Sequence, residues 1–231
     1  MFIPIKDDIP TRRTPHVTLA IIFINTVVFL YSQTLGATGY RTFVAMLGFT
    51  PGYYLNLGSE YIAPTWYYLT PITSMFLHGG WMHLIGNMLY LWIVGNNIED
   101  YFGPIKYVIF YIVSGIAATA LFALFDLNST VPLIGASGAV AGVMGAYLVL
   151  HPRARITVLI VFIFIMFRQF PAKMVLLFWF GLEVFNWVVG SKGGTGIAHM
   201  AHIGGFAFGW LALKAITKIR GEDRSYRISW R

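Results

Sequence analysis

The chain contains no cysteine. That excludes disulfides, a thiolate nucleophile and any cysteine-ligated zinc site. Charge is scarce as well: 11% of the 231 residues are Asp, Glu, Lys or Arg, whereas a soluble globular domain carries about 25%. No histidine is followed by the glutamate of an HExxH zinc-protease helix. The soluble-hydrolase elbow G-x-S-x-G is missing too, because Ala139 stands where its last glycine belongs. Internal repeats are absent, which weighs against a transporter or channel built from two repeated halves. What fills the chain is apolar: 57% of it is hydrophobic. Such a composition describes a polytopic membrane protein of one domain.

A spanning helix needs ~20 largely apolar residues. Six runs answer to that: 17–35, 81–94 with extensions at its ends, 107–125, 131–150, 174–189 and 196–213. The run 156–167 is too short to span and reads as an interfacial or re-entrant segment. The first run lacks a small-x-small cleavage pattern and reads as a retained helix. Six spans put both ends on one side, and that side receives every Lys and Arg except Arg41 and Lys192. The bias places the termini in the cytoplasm. Helix ends and anionic lipid account for the basic charge, so no basic face is left for nucleic acid. The expected layout is all-α. Residues 1–16 form a cytoplasmic lead-in and 17–217 a six-transmembrane-helix bundle. A long non-cytoplasmic first loop runs over 36–71, and a basic cytoplasmic tail over 218–231. The loop holds Tyr40, Phe43, Phe49, Tyr53, Tyr54, Tyr61, Trp66, Tyr67 and Tyr68, a density that suits the headgroup belt.

Ser137 lies 14 positions before His151, which closes the fourth run. That places it roughly 20 Å above the cytoplasmic face of a core ~30 Å thick. His202 precedes Lys214 and Lys218, the markers of the same face in the sixth run, by a distance of roughly 18–24 Å. The two polar groups share a depth, and both are costly in lipid unless they face protein or a wet cavity. Gly138, Gly142 and Gly145 on one helix, and Gly205 and Gly209 on the other, leave flat stripes that let two backbones approach. Face to face, these stripes bring the hydroxyl and the imidazole within reach, so that His202 takes the proton of Ser137 as it attacks a carbonyl. No acidic residue shares that depth on these two helices, so a dyad is expected. In the second run His83 and Asn87 are four apart, on one helix face. Both can donate to a developing oxyanion, as can the backbone N–H of Ser137. Glu183, in the middle of the fifth run, reads as a structural hydrogen-bonding group or one exposed to the cavity, with a role in substrate entry beside the fifth helix as the alternative. His78 reads as lining the wet mouth of the cavity, and His199 as lining it or packing.

The stretches "GASGAVAG" at Gly135–Gly142, "AHIGGFAFG" at Ala201–Gly209 and "HGGWMHLIGN" at His78–Asn87 resemble the motifs of the rhomboid intramembrane serine proteases, of prokaryotic type. The resemblance implies Ser137 as nucleophile and His202 as base. It also implies His83 and Asn87 as oxyanion donors, and close helix packing at Gly135, Gly138, Gly142, Gly205 and Gly209. It further implies cleavage of single-pass or other transmembrane protein substrates, no metal and no cofactor. The expected location is a plasma or inner membrane, with the site opening to the non-cytoplasmic side. Glu99 and Asp100 take a structural hydrogen-bonding role under the same resemblance. Two positions depart from it. Ala141 stands where some members carry a tyrosine that stacks on the base, and Trp66 is followed by Tyr67 where an arginine is common. A catalytically inactive rhomboid-like protein that binds membrane clients is the alternative reading. Retention of both Ser137 and His202 weighs against it.

Overall fold

In the computed structural model, residues 2–55, 64–162, 164–190 and 198–222 are described. Tyr61, Lys192, Gly196, Arg224, Arg227 and Arg231, which figure in the expectations above, lie outside them. The chain is a helical bundle with a small sheet at one end. Its helices are α1 (His16–Thr34), α2 (Gly36–Leu47), α3 (Pro51–Leu55), α4 (Thr70–Thr73), α5 (Trp81–Phe102), α6 (Pro104–Phe125), α7 (Ser137–Leu150), α8 (Ala172–Gly190) and α9 (Ala198–Ile219). Among the described residues, α1, α6 and α8 are long and apolar enough to cross a membrane, and α7 is a shorter apolar helix. The protein is therefore a membrane protein.

The bundle is built around α7, none of whose residues is exposed. Its first three turns are rich in glycine and alanine, which lets α6 and α9 close on it. A Cβ on Gly205 would run into the carbonyl oxygen of Gly138, and one on Gly209 into that of Gly142. Helix α9 runs parallel to α7, since Gly142 meets Gly205 and Gly145 meets Phe206 and Trp210. Helix α6 runs antiparallel, with Gly115 near Ala139 and Ala118 near Gly138. Helix α8 shows the opposite character. Only Ala172, Leu176 and Glu183 are buried on it, while Phe178 and Phe185 lie on an open apolar face. That face is suited to lipid.

Three features differ from the sequence expectations. The run 131–150 is not helical throughout: α7 begins at Ser137, and the residues before it are extended, with Leu133 bridged to Phe49. Gly135, at φ 125, makes the corner between the two, a conformation open mainly to glycine. The run 156–167 is β-structure. Strands β2 (Arg155–Val161) and β3 (Ile165–Pro171) form an antiparallel hairpin, and β1 (Phe2–Asp7) from the lead-in pairs with β2 to give the order β1-β2-β3. The β-branched run Ile156-Thr157-Val158 favours strand over helix. The first loop is itself mostly helical over its described residues, as α2, α3, α4 and a 3-10 turn at Thr65–Leu69. Within it Tyr67 is buried, and Trp66 and Tyr68 are exposed.

The sheet gathers polar groups at its end of the bundle. Glu99, near the end of α5, accepts from the backbone N–H groups of Val17 and Thr18 at 2.9 and 2.8 Å, and from the Thr18 hydroxyl at 2.7 Å. It thereby caps the first turn of α1, whose own residues supply no cap. Asp7 accepts from Asn97 at 2.7 Å and from the Tyr147 hydroxyl. Asp8 accepts from the backbone of Arg155 at 2.7 Å.

Candidate active site

Ser137 is the first residue of α7. A helix of this kind leaves its first backbone N–H groups without intrahelical acceptors and carries partial positive charge at that end. The site is therefore prepared for a negative oxygen before any side chain is counted. The corner that exposes it is held by the Gly135 N–H, which donates to the Ser74 carbonyl at 2.9 Å.

His202 lies one turn into α9, which the glycine contacts hold against α7. Its Nε2 is 2.7 Å from the Ser137 Oγ. Its Nδ1 is 2.7 Å from Oε2 of Glu183 on α8. The expectation of a hydroxyl–imidazole pair without an acid is thus corrected: the acid comes from a third helix, so a search of α7 and α9 alone misses it. A carboxylate only accepts, so Nδ1 carries the ring proton and Nε2 is left free to accept the proton of Ser137. Trp179, four residues before Glu183 and on the same face of α8, lies against the ring with centroids 5.9 Å apart. Glu183 and Trp179 together orient the imidazole that Ala141, small and buried, leaves unstacked.

The same oxygen of Glu183 receives a second imidazole, as His199 Nδ1 sits 2.6 Å from it. The three side chains offer ligand atoms that all lie within 4.8 Å of one another, and among the described residues they are the group able to hold a metal.

His83 and Asn87 occupy the first two turns of α5. The backbone N–H of Gly79 donates to His83 Nδ1 at 3.4 Å, so Nε2 carries the ring proton. A Cβ placed on Gly135 would lie 2.6 Å from His83 Nε2 and 3.5 Å from Ser137 Oγ. The missing side chain of Gly135 therefore leaves the space between donor and nucleophile. This corrects the reading of Gly135 as a helix-packing residue, because it precedes the helix and keeps that gap open. Asn87 is buried, and its amide Nδ2 has no acceptor. His78 does not line a wet mouth. It is 2% exposed, neither ring nitrogen has a partner, and its ring lies 5.0 Å from that of His83.

The rhomboid domain family model matches residues 65–218. RHOMBOID-like protein 4 of Arabidopsis thaliana is 37% identical over 141 residues, which is 61% of this chain and 32% of that protein. Rhomboid protease GluP of Bacillus subtilis (strain 168) is 40% identical over 83 residues, covering 36% of this chain and 15% of that protein. RHOMBOID-like protein 12, mitochondrial, of Arabidopsis thaliana is 29% identical over 167 residues, covering 65% of this chain and 47% of that protein. The chain thus matches about a third of the length of the first of these relatives, and less than half of the others. The family match covers two thirds of the chain and contains all of Ser137, Glu183 and His202: the chain belongs to the rhomboid family.

Proposed function

We propose that the protein is an intramembrane serine endopeptidase that cleaves transmembrane-anchored proteins. The observation that carries the reading is the relay Ser137 Oγ, His202 Nε2 and Nδ1, Glu183 Oε2, with both links at 2.7 Å. In the proposed first step the Ser137 oxygen attacks the scissile carbonyl carbon as His202 Nε2 takes its proton. Glu183 stabilises the imidazolium without itself taking a proton. The negative oxygen of the intermediate is met by His83 Nε2–H, the unpaired amide of Asn87 and the Ser137 backbone N–H. His202 then gives its proton to the leaving amine. Water, deprotonated by the same nitrogen, hydrolyses the acyl-enzyme and restores Ser137. In this account Ser137 and His202 are the catalytic pair and Glu183 positions the base.

The same reading takes α1, α5, α6, α7, α8 and α9 as six membrane spans with cytoplasmic termini. The sheet then lies at the cytoplasmic end, and the site opens to the non-cytoplasmic side of a plasma or inner membrane. A substrate helix must unwind before its carbonyl can be attacked, since in lipid its backbone groups are satisfied within the helix. Substrates with locally unstable spans are therefore favoured. The test is cleavage of a fluorogenic transmembrane substrate by detergent-purified protein. Ser137→Ala and His202→Ala are expected at background, and equal rates for wild type and both variants overturn the proposal.

A further inference from the structure

We propose that Glu183, His199 and His202 also form a binding site for a divalent transition-metal ion of the zinc type, and that the bound ion switches the protease off. The inhibitory half rests on the function proposed for His202; the binding half rests on geometry alone.

The donor set is two imidazole nitrogens and one carboxylate oxygen, the chemistry that zinc takes with an open fourth position for water. Two facing helices supply it. His199 and His202 are three apart on α9 and share a face, and Glu183 projects from α8. Both Nδ1 atoms converge on one oxygen, at 2.6 and 2.7 Å. Metal–ligand bonds of ~2.0–2.2 Å in a tetrahedral site hold their ligand atoms about 3.3 Å apart, so admitting the ion opens each of the two nitrogen–oxygen pairs by only about 0.6 Å. The cluster reaches the surface: the side chains of His199 and His202 are 29% and 22% exposed, against 11% for Glu183. A positioning role for Glu183 accounts for one imidazole on its oxygen. The second, from His199, competes with the first, and a metal site gives it a purpose.

Binding would disarm the base by replacing the two hydrogen bonds to Glu183 with metal–ligand bonds and changing the tautomer of His202. A neutral imidazole that ligates through Nδ1 keeps its one proton on Nε2. In His202 that atom faces Ser137 Oγ. The nitrogen that must accept a proton then carries one. Each ring moves its proton from Nδ1 to Nε2 by exchange with water, so none is released. Glu183 stays ionised throughout. Removal of the ion restores the original tautomer.

The experiment uses the full chain in detergent with Co2+ as an optical probe. In the Ser137→Ala background, Co2+ is expected to give a saturable visible absorption at one ion per chain that Zn2+ displaces. Adding His199→Gln should weaken it by at least about tenfold. Because the chain has no other cysteine, His199→Cys should restore binding with a new thiolate-to-cobalt band, a gain that misfolding cannot mimic. In wild type, Zn2+ should reduce cleavage in step with occupancy, and a chelator should reverse it. His199→Gln, scaled to its own metal-free rate, should need about ten times more Zn2+. No saturable signal, or one indifferent to His199, overturns the site. Full occupancy with undiminished cleavage overturns the switch. If metal-free wild type fails to cleave, the protease reading falls, and the optical titration still decides the site.

Discussion

The two ends of the bundle use similar polar residues in opposite ways. At the sheet end the carboxylates of Glu99 and Asp7 are met by donors. Glu99 takes three hydrogen bonds at the start of α1, and Asp7 takes two, from Asn97 and Tyr147. At the other end several buried polar atoms go without a partner. The Asn87 amide and both nitrogens of His78 are buried without partners, and two imidazoles share one oxygen of Glu183. An unsatisfied buried polar group costs about 1–3 kcal/mol, and native proteins keep few of them. The Tyr107 hydroxyl, beside Gly95 and Thr18, is also buried without a partner, so the contrast lies in the carboxylates: those at the sheet end tie the chain together, whereas Glu183 shares one oxygen between two imidazoles.

The sharpest way to break this contrast is to remove an unpartnered donor. Asn87→Ala deletes an amide that makes no hydrogen bond in the resting protein, so stability should hold or rise slightly. Cleavage should fall by about 10²–10³, the usual loss for one oxyanion donor. Fluorogenic cleavage beside a thermal melt reads both. A melting point that drops along with the rate would make Asn87 a structural residue and erase the contrast.

The reciprocal change removes a saturated acceptor. Glu99→Gln keeps the shape but exchanges one accepting oxygen for a donor that faces the backbone N–H groups of α1. The expected cost is about 1–3 kcal/mol of stability, read by chemical denaturation in detergent. The rate per folded molecule should stay near that of wild type, because the site lies at the far end of α5. A rate loss as large as that of Asn87→Ala would mean the ends are coupled.

How much of this was legible depends on how far apart in sequence the partners lie. Ser137 and His202 could be paired because depth can be counted from charged helix ends on each helix separately. The glycine stripes then supplied the meeting face, and these same stripes pack in the structure. Glu183 is not legible from its own helix, because depth in lipid alone does not bring α9 beside it. A lone acid in a span looks structural until the neighbouring helix is known. Asking which imidazole lies level with it would have found His202. The sheet escaped for a different reason. Its three strands join residues 2–7 to 155–171, and a short apolar run taken alone fits an interfacial segment as well as a strand. The β-branched residues at 156–158 were the available signal. The motif alone makes Gly135 a packing residue, whereas its role depends on φ and on the His83 ring beside it.

The subtlest difference between the ends is in their response to pH. Burial pushes the Asp7 carboxyl up from the ordinary 3.8 to about 6, against the Tyr147 hydrogen bond that pulls it down. Between those values the folded chain holds a proton that the unfolded chain has released, so Asp7 contributes stability at low pH that is lost as pH rises from about 4 to 6. His151, whose ring lies 5.2 Å from that of Tyr147, acts in the opposite sense. Burial lowers it from 6.5 to about 4, so its contribution grows as pH rises through that interval. The two largely cancel in the wild type. Asp7→Asn keeps an acceptor oxygen for Tyr147 and removes one side of the balance. The melting temperature of the variant should therefore climb from pH 4 to 6.5 more steeply than that of wild type. The difference should be about 2–4 °C, the equivalent of ~1 kcal/mol for a chain of this size after discounting for partial exposure. Parallel curves would mean that Asp7 does not carry that proton. The pH profile of cleavage should be the same in both proteins, because the residue sits at the opposite end of the bundle from Ser137.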